Sequence, residues 1–230
     1  MKMKKSLYQA IALSTGLLLS GSALAEVTGN IGATSNYLWR GTTQTNNEAA
    51  VQGGIDYAHD SGFYAGTWVS NVDFGDETSY ELDLYGGYGG NFTEDLTYDI
   101  SYLYYAYPDA GGSIDFGEVA LVLGWKWLDV GYSQVINADS DVSGASDETD
   151  WNYIQANASF PLTEKLSIAF HYGYSQGDVV EDLFGDTYAD YNVTLSAETD
   201  LGTVSFMASD TDLPDNDAKV VLGYSYGFSL

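Results

Sequence analysis

The sequence predicts an all-β fold: a transmembrane antiparallel up-and-down β-barrel of about twelve strands. Three observations carry that expectation. Apolar and polar residues alternate with period 2 in segment after segment. The connections between those segments alternate between short and long. Aromatic residues are abundant, with 20 Tyr, 9 Phe and 5 Trp in 230 residues, as the interfacial girdles of a membrane barrel require.

The first 25 residues read as a cleaved signal peptide rather than as part of the fold. Lys2, Lys4 and Lys5 form a basic start, an apolar stretch runs from Leu7 to Leu19, and Ser22-Ala23-Leu24-Ala25 offers a small-residue cleavage site. That apolar stretch is shorter than the roughly 20 residues a spanning helix needs. No longer one follows it, so membrane insertion has to be by strands. Residues 26–230 are read as one barrel domain, without a linker or internal repeat.

The alternating segments are Val27–Arg40, Ala50–His59, Phe63–Asn71, Tyr80–Gly89, Leu96–Tyr107, Asp115–Trp125, Leu128–Val135, Trp151–Phe160, Leu166–Ser175, Tyr188–Thr199, Thr203–Ser209 and Lys219–Leu230. In the second, Val51, Gly53, Ile55 and Tyr57 share one face, and Gln52, Gly54, Asp56 and Ala58 the other. It joins the third through Asp60-Ser61-Gly62, a hairpin signal because Gly tolerates positive φ and Asp or Ser bonds the local backbone. The last segment sets Val220, Leu222, Tyr224, Tyr226, Phe228 and Leu230 on one face. It resembles the terminal signal for outer-membrane assembly, although that signal usually closes on Phe rather than Leu. Short connections follow the even-numbered segments and long ones the odd-numbered. A sandwich has no reason to alternate this way, whereas a barrel with short periplasmic turns and long outer loops does. Closure follows from the lipid, which tolerates no unpaired backbone edge.

Composition restricts function. Three of the seven basic residues lie in the leader, leaving Arg40, Lys126, Lys165 and Lys219 against 33 acidic residues, a formal charge of −29. Such a chain repels nucleic acid, and without cysteine it has neither disulfides nor thiolate metal sites. The expected inward register points Asn36, Arg40, Asp56, Glu81, Asp83, Asp99 and Glu118 into the lumen. Two uses fit this set. It forms a constriction that favours cations, or a network that satisfies buried polar groups. The long loops hold further acid, including Asp139, Asp141, Asp147, Glu148 and Asp150, then Asp178, Glu181, Asp182 and Asp186, then Asp210, Asp212, Asp215 and Asp217. Divalent cations at these loops are a candidate partner, but no run has the spacing of an EF-hand, and solvated surface charge explains them as well. His59 falls beside a turn and His171 points inward, with no serine–acid pair identifiable beside it. The motifs HExxH, GxSxG and GxxxxGK[ST] are absent. The sequence thus predicts no enzyme activity, no cofactor and no metal site.

Several stretches resemble a known family: SNYLWRGTTQT at Ser35–Thr45, AVQGGIDYAHDSGFYAGTW at Ala50–Trp68, SNVDF at Ser70–Phe74, ELDLYGGY at Glu81–Tyr88, YDISYLYYAYP at Tyr98–Pro108 and DFGEV at Asp115–Val119. These resemble the TorF-like porin family, the Gcw-type conserved outer-membrane proteins of proteobacteria. The resemblance covers about the first half of residues 26–230, and the second half matches by pattern. It implies an outer-membrane barrel and brings no catalytic residues with it. Together these readings predict a porin-like channel for passive diffusion of small solutes, cation-preferring, in the outer membrane of a Gram-negative bacterium. The alternatives are a non-conducting barrel whose acidic loops bind cations or lipopolysaccharide, and a barrel enzyme acting on lipid.

Overall fold

The computed structural model describes residues 26–214 and 216–230; the expected leader, and Asp215 among the loop acids, lie outside them. Twelve strands close into an antiparallel barrel: β1 (Glu26–Thr34), β4 (Ala50–Ala58), β5 (Phe63–Asn71), β6 (Tyr80–Asn91), β7 (Leu96–Ala106), β8 (Phe116–Trp125), β9 (Leu128–Ala138), β10 (Asn152–Pro161), β11 (Leu166–Gln176), β12 (Tyr188–Thr199), β13 (Gly202–Thr211) and β14 (Lys219–Ser229). A small hairpin, β2 (Leu38–Trp39) with β3 (Thr42–Thr43), and a short helix, α1 (Asp178–Phe184), lie in the connections. Each strand pairs with its sequence neighbour in the barrel, and β14 returns to β1 with Ile31 opposite Tyr226, so no edge is left open.

Facing follows the pleat. Val51, Ile55 and Tyr57 of β4, Ile100 and Tyr102 of β7, Phe170 and Tyr172 of β11, and Leu222, Tyr224, Tyr226 and Phe228 of β14 are all exposed on the outer surface. A soluble protein would bury such side chains; here they form the apolar band that meets lipid. At the short-turn rim the aromatics touch one another, with Trp127 against Trp125 and Phe160, and Tyr98 against Tyr88 and Phe92.

Two segments depart from the expected boundaries by more than two residues. The first strand ends at Thr34, not Arg40. Ser35 takes the last bonds to β14, its N–H donating to the Leu222 carbonyl and its Oγ accepting from the Leu222 N–H. The chain then turns into the barrel, with Arg40 at φ 47°, a conformation no strand residue adopts. The seventh barrel strand, β9, runs on to Ala138 instead of stopping at Val135. A bulge opposite Gly117 and Glu118 inserts Ile136 as an unpaired residue. Val135 and Ala138 then both reach the interior side, and the simple alternation breaks between them.

The interior differs between the two ends. Toward the short-turn rim many inward residues are polar and only partly covered, among them Asn30, Tyr64, Tyr85, Asn157 and His171, while Asp56 and Asp99 are buried. Toward the long-loop rim the lumen is filled with apolar side chains. Val179 and Val180 of α1 are fully buried against Tyr105, Tyr107, Phe116, Val135, Trp151 and Tyr188, and Trp39 packs onto the same cluster.

Candidate functional site

The site is the lumen at the level of the first long connection, Ser35–Ala49. Local chemistry explains why this segment folds inward as a unit. Asn36 Oδ1 accepts from Thr43 Oγ1 at 2.6 Å, Asn36 Nδ2 donates to Asn47 at 3.1 Å, and Thr45 Oγ1 donates to the Glu48 carbonyl at 2.5 Å. Short polar side chains thereby take up backbone and side-chain groups that the β2–β3 hairpin leaves without ladder partners. The Asp73 N–H donates to the Gln44 carbonyl, fixing the root of the loop to the next connection.

From that root the tip crosses the lumen. Trp39 reaches the β7–β8 wall, its indole N–H donating to Tyr105 Oη at 3.3 Å and its ring edge-on to Phe116 and Trp151. Gly41, at φ 78°, lies against the opposite wall. A β-carbon there would come within 2.5 Å of Thr211 and 2.7 Å of Asp190, so the residue has to be glycine both for its dihedral and for the approach. Between them sits Arg40. Its Nη2 meets Glu118 Oε2 at 2.6 Å, with both side chains buried. The guanidinium carbon lies 4.2 Å from the Trp39 ring and 4.3 Å from that of Tyr153. Burial opposes the guanidinium charge, and Glu118 more than offsets it, so the arginine stays above its usual range. Nη1 is buried with no hydrogen-bond partner.

The carboxylates predicted to face inward are all buried inside the barrel, and most of them accept from a tyrosine. Glu81 receives Tyr37 and Tyr107, each at 2.8 Å. Asp99 receives Tyr64 at 2.9 Å, Glu118 receives Tyr105 at 3.2 Å, and Asp56 receives Tyr85. Burial, and after it the Glu81 charge, pushes the Tyr37 and Tyr107 phenols well above 10, which keeps both as donors. Asp83, the cross-strand partner of Tyr105, leaves Oδ1 without a hydrogen bond. Asn36 is buried at the loop root. The seven predicted residues thus form two groups: Asn36, Arg40, Glu81, Asp83 and Glu118 around the first loop, and Asp56 and Asp99 nearer the short turns.

A chain on the other wall had no sequence signature beyond an inward His171. His171 Nε2 lies 2.9 Å from Asp190 Oδ1, and its Nδ1 lies 2.6 Å from Asn157 Oδ1. Asn157 donates to Asp129, and Tyr153 donates to Asp190 at 2.9 Å. Nε2 also lies 2.9 Å from Tyr153 Oη, so both ring nitrogens are engaged by side-chain oxygens. None of the partners is a serine. Several acids of the long loops tie one connection to its neighbour: Asp141 accepts from the Ser113 N–H, Asp182 from Gly144 and Asp212 from Ala189, whereas Asp147 accepts from Thr149 within its own turn. Among the described residues no three His, Asp or Glu side chains are arranged to hold a metal ion.

Comparison with solved structures returns β-barrel porins and channels. A KdgM porin superposes with a TM-score of 0.59 at 11% identity, covering 88% of this chain and 99% of that one. An outer membrane channel from Pseudomonas putida F1 gives 0.56 at 11% identity, covering 91% and 97%. A NanC porin gives 0.52 at 12% identity, covering 89% and 98%. At these identities the likeness is one of fold. No curated protein sequence matches. A family profile described as a bacterial protein of unknown function, Gcw_chp, matches residues 20–224. The chain therefore belongs to the Gcw_chp family, and its fold is the outer-membrane β-barrel.

Proposed function

We propose that the protein is an outer-membrane channel for passive passage of small solutes, with a preference for cations. One observation carries this reading: Asp56, Glu81, Asp83, Asp99 and Glu118 face the interior, while the arginine among them is engaged with Glu118. Such an interior lowers the free energy of a cation and raises that of an anion. The short turns would face the periplasm and the long loops the outside. Refolded protein in a planar bilayer under a salt gradient tests the selectivity. The expected reversal potential has the sign of cation selectivity, and an anion-selective sign overturns the charge argument.

The filled long-loop half favours a second reading, a barrel that does not conduct. On that reading a variant whose first loop is loosened, such as Glu118→Gln, stays silent in the bilayer. A channel would gain conductance.

A further inference from the structure

We propose that the seat of Arg40 is a binding site for a solute with a guanidinium-like cationic head, and that Arg40 occupies it in the solute's absence. The control of passage that follows rests on the channel reading above; the binding does not.

The seat belongs to the wall. Glu118 and Phe116 come from β8, Tyr105 from β7, Tyr153 from β10, and Trp151 immediately precedes β10. Tyr105 and Phe116 stack at 4.4 Å, and Phe116 lies 4.9 Å from Trp151. Tyr105 holds Glu118 Oε1, which leaves Oε2 for a cation. A carboxylate set among aromatic rings recognises planar, weakly hydrated cations, by charge-assisted hydrogen bonding on one side and by the ring face on the other.

The occupant is held less completely than the seat is built. Arg40 uses Nη2 and leaves Nη1 buried without a partner, a costly arrangement for a donor. Its backbone is left-handed, which a non-glycine residue adopts at a cost. Among the described residues no backbone hydrogen bond ties Leu38–Thr42 to the barrel wall. The ion pair, the long Trp39 indole bond and side-chain packing hold the tip. The root stays anchored through Tyr37, Gln44 and Asn36. A free cation can satisfy Glu118 without the backbone strain, and the tip can then leave while the root remains.

The test labels the five tryptophans of the full protein with 5-fluorotryptophan and titrates methylguanidinium in detergent micelles. The Trp39 and Trp151 resonances are expected to shift saturably, and uncharged methylurea to leave them unmoved. Glu118→Gln should weaken the titration by about tenfold or more, from the lost charge-assisted bond. Arg40→Gln, which empties the seat and keeps Glu118, should tighten it by about the same factor. Either variant alone decides the matter if the other does not fold. Equal response to methylurea, or affinity unchanged in the variant, overturns the proposal. Conductance is read separately: binding without current in any variant removes the channel reading and leaves the site, whereas current without binding does the reverse.

Discussion

Glu118 and Glu81 show how a narrow, acidic barrel accommodates buried charge. Each takes donors from outside its own strand, Glu118 from Arg40 and Tyr105 and Glu81 from Tyr37 and Tyr107. Replacing Arg40 with Met leaves the Glu118 charge without its counter-ion, at a cost of about 3 kcal/mol; urea unfolding of the barrel in lipid vesicles measures it. Trypsin gives a second check. The bond after Arg40 should resist cleavage in the native protein and become cleavable in Glu118→Gln, with the exposed Lys165 as internal control. The phenols set the alkaline limit. Tyr37 and Tyr107 are held protonated above their ordinary value, so their contribution is complete below about pH 10 and is lost as pH rises further. Unfolding stability should fall above that pH, and less steeply in a Tyr37→Phe, Tyr107→Phe double variant.

At the scale of the element, the strands were legible because one face of each meets lipid and the other the interior, which writes a period of two directly into the chain. The alternation of short turns and long loops was legible for the same reason. The first loop was not. Tyr37, Leu38, Trp39 and Arg40 continue the pattern of β1, and what stops the strand is a set of partners far away in sequence, Glu81, Tyr105 and Glu118. Arg40 and Glu118 are 78 positions apart, and no local pattern records such a contact. The isolated arginine followed by Gly41 and a run of Thr, Gln and Asn was the available signal. The inward acids were legible from register alone, whereas their tyrosine partners on other strands were not. Gly41 tests the loop as an element. Gly41→Ala meets Thr211 and Asp190 and adopts an unfavourable φ, costing about 1–3 kcal/mol. It should also raise trypsin cleavage after Arg40 while the barrel still resists unfolding in detergent.

For the whole molecule, the outer band and the interior answer to different solvents, and substitutions separate them. Phe170→Lys, in the middle of β11 on the lipid face, should cost about 2–4 kcal/mol of stability in a bilayer, with selectivity unchanged. Asp56→Asn and Asp99→Asn together should leave stability near native and move the reversal potential toward zero, as expected where charge sets selectivity. The two halves of the lumen also divide the work: polar walls toward the short turns, and aromatic packing with α1 toward the long loops.

The two ends of the first loop, Thr34 and Ala50, are cross-strand partners. The stopper is thus tethered at both feet on adjacent staves, and it meets its own seat at an effective concentration on the order of millimolar. A competing cation has to reach a comparable level before it wins the seat. When the supply falls, the chain swings back unaided, with no partner to recruit and nothing lost to the medium.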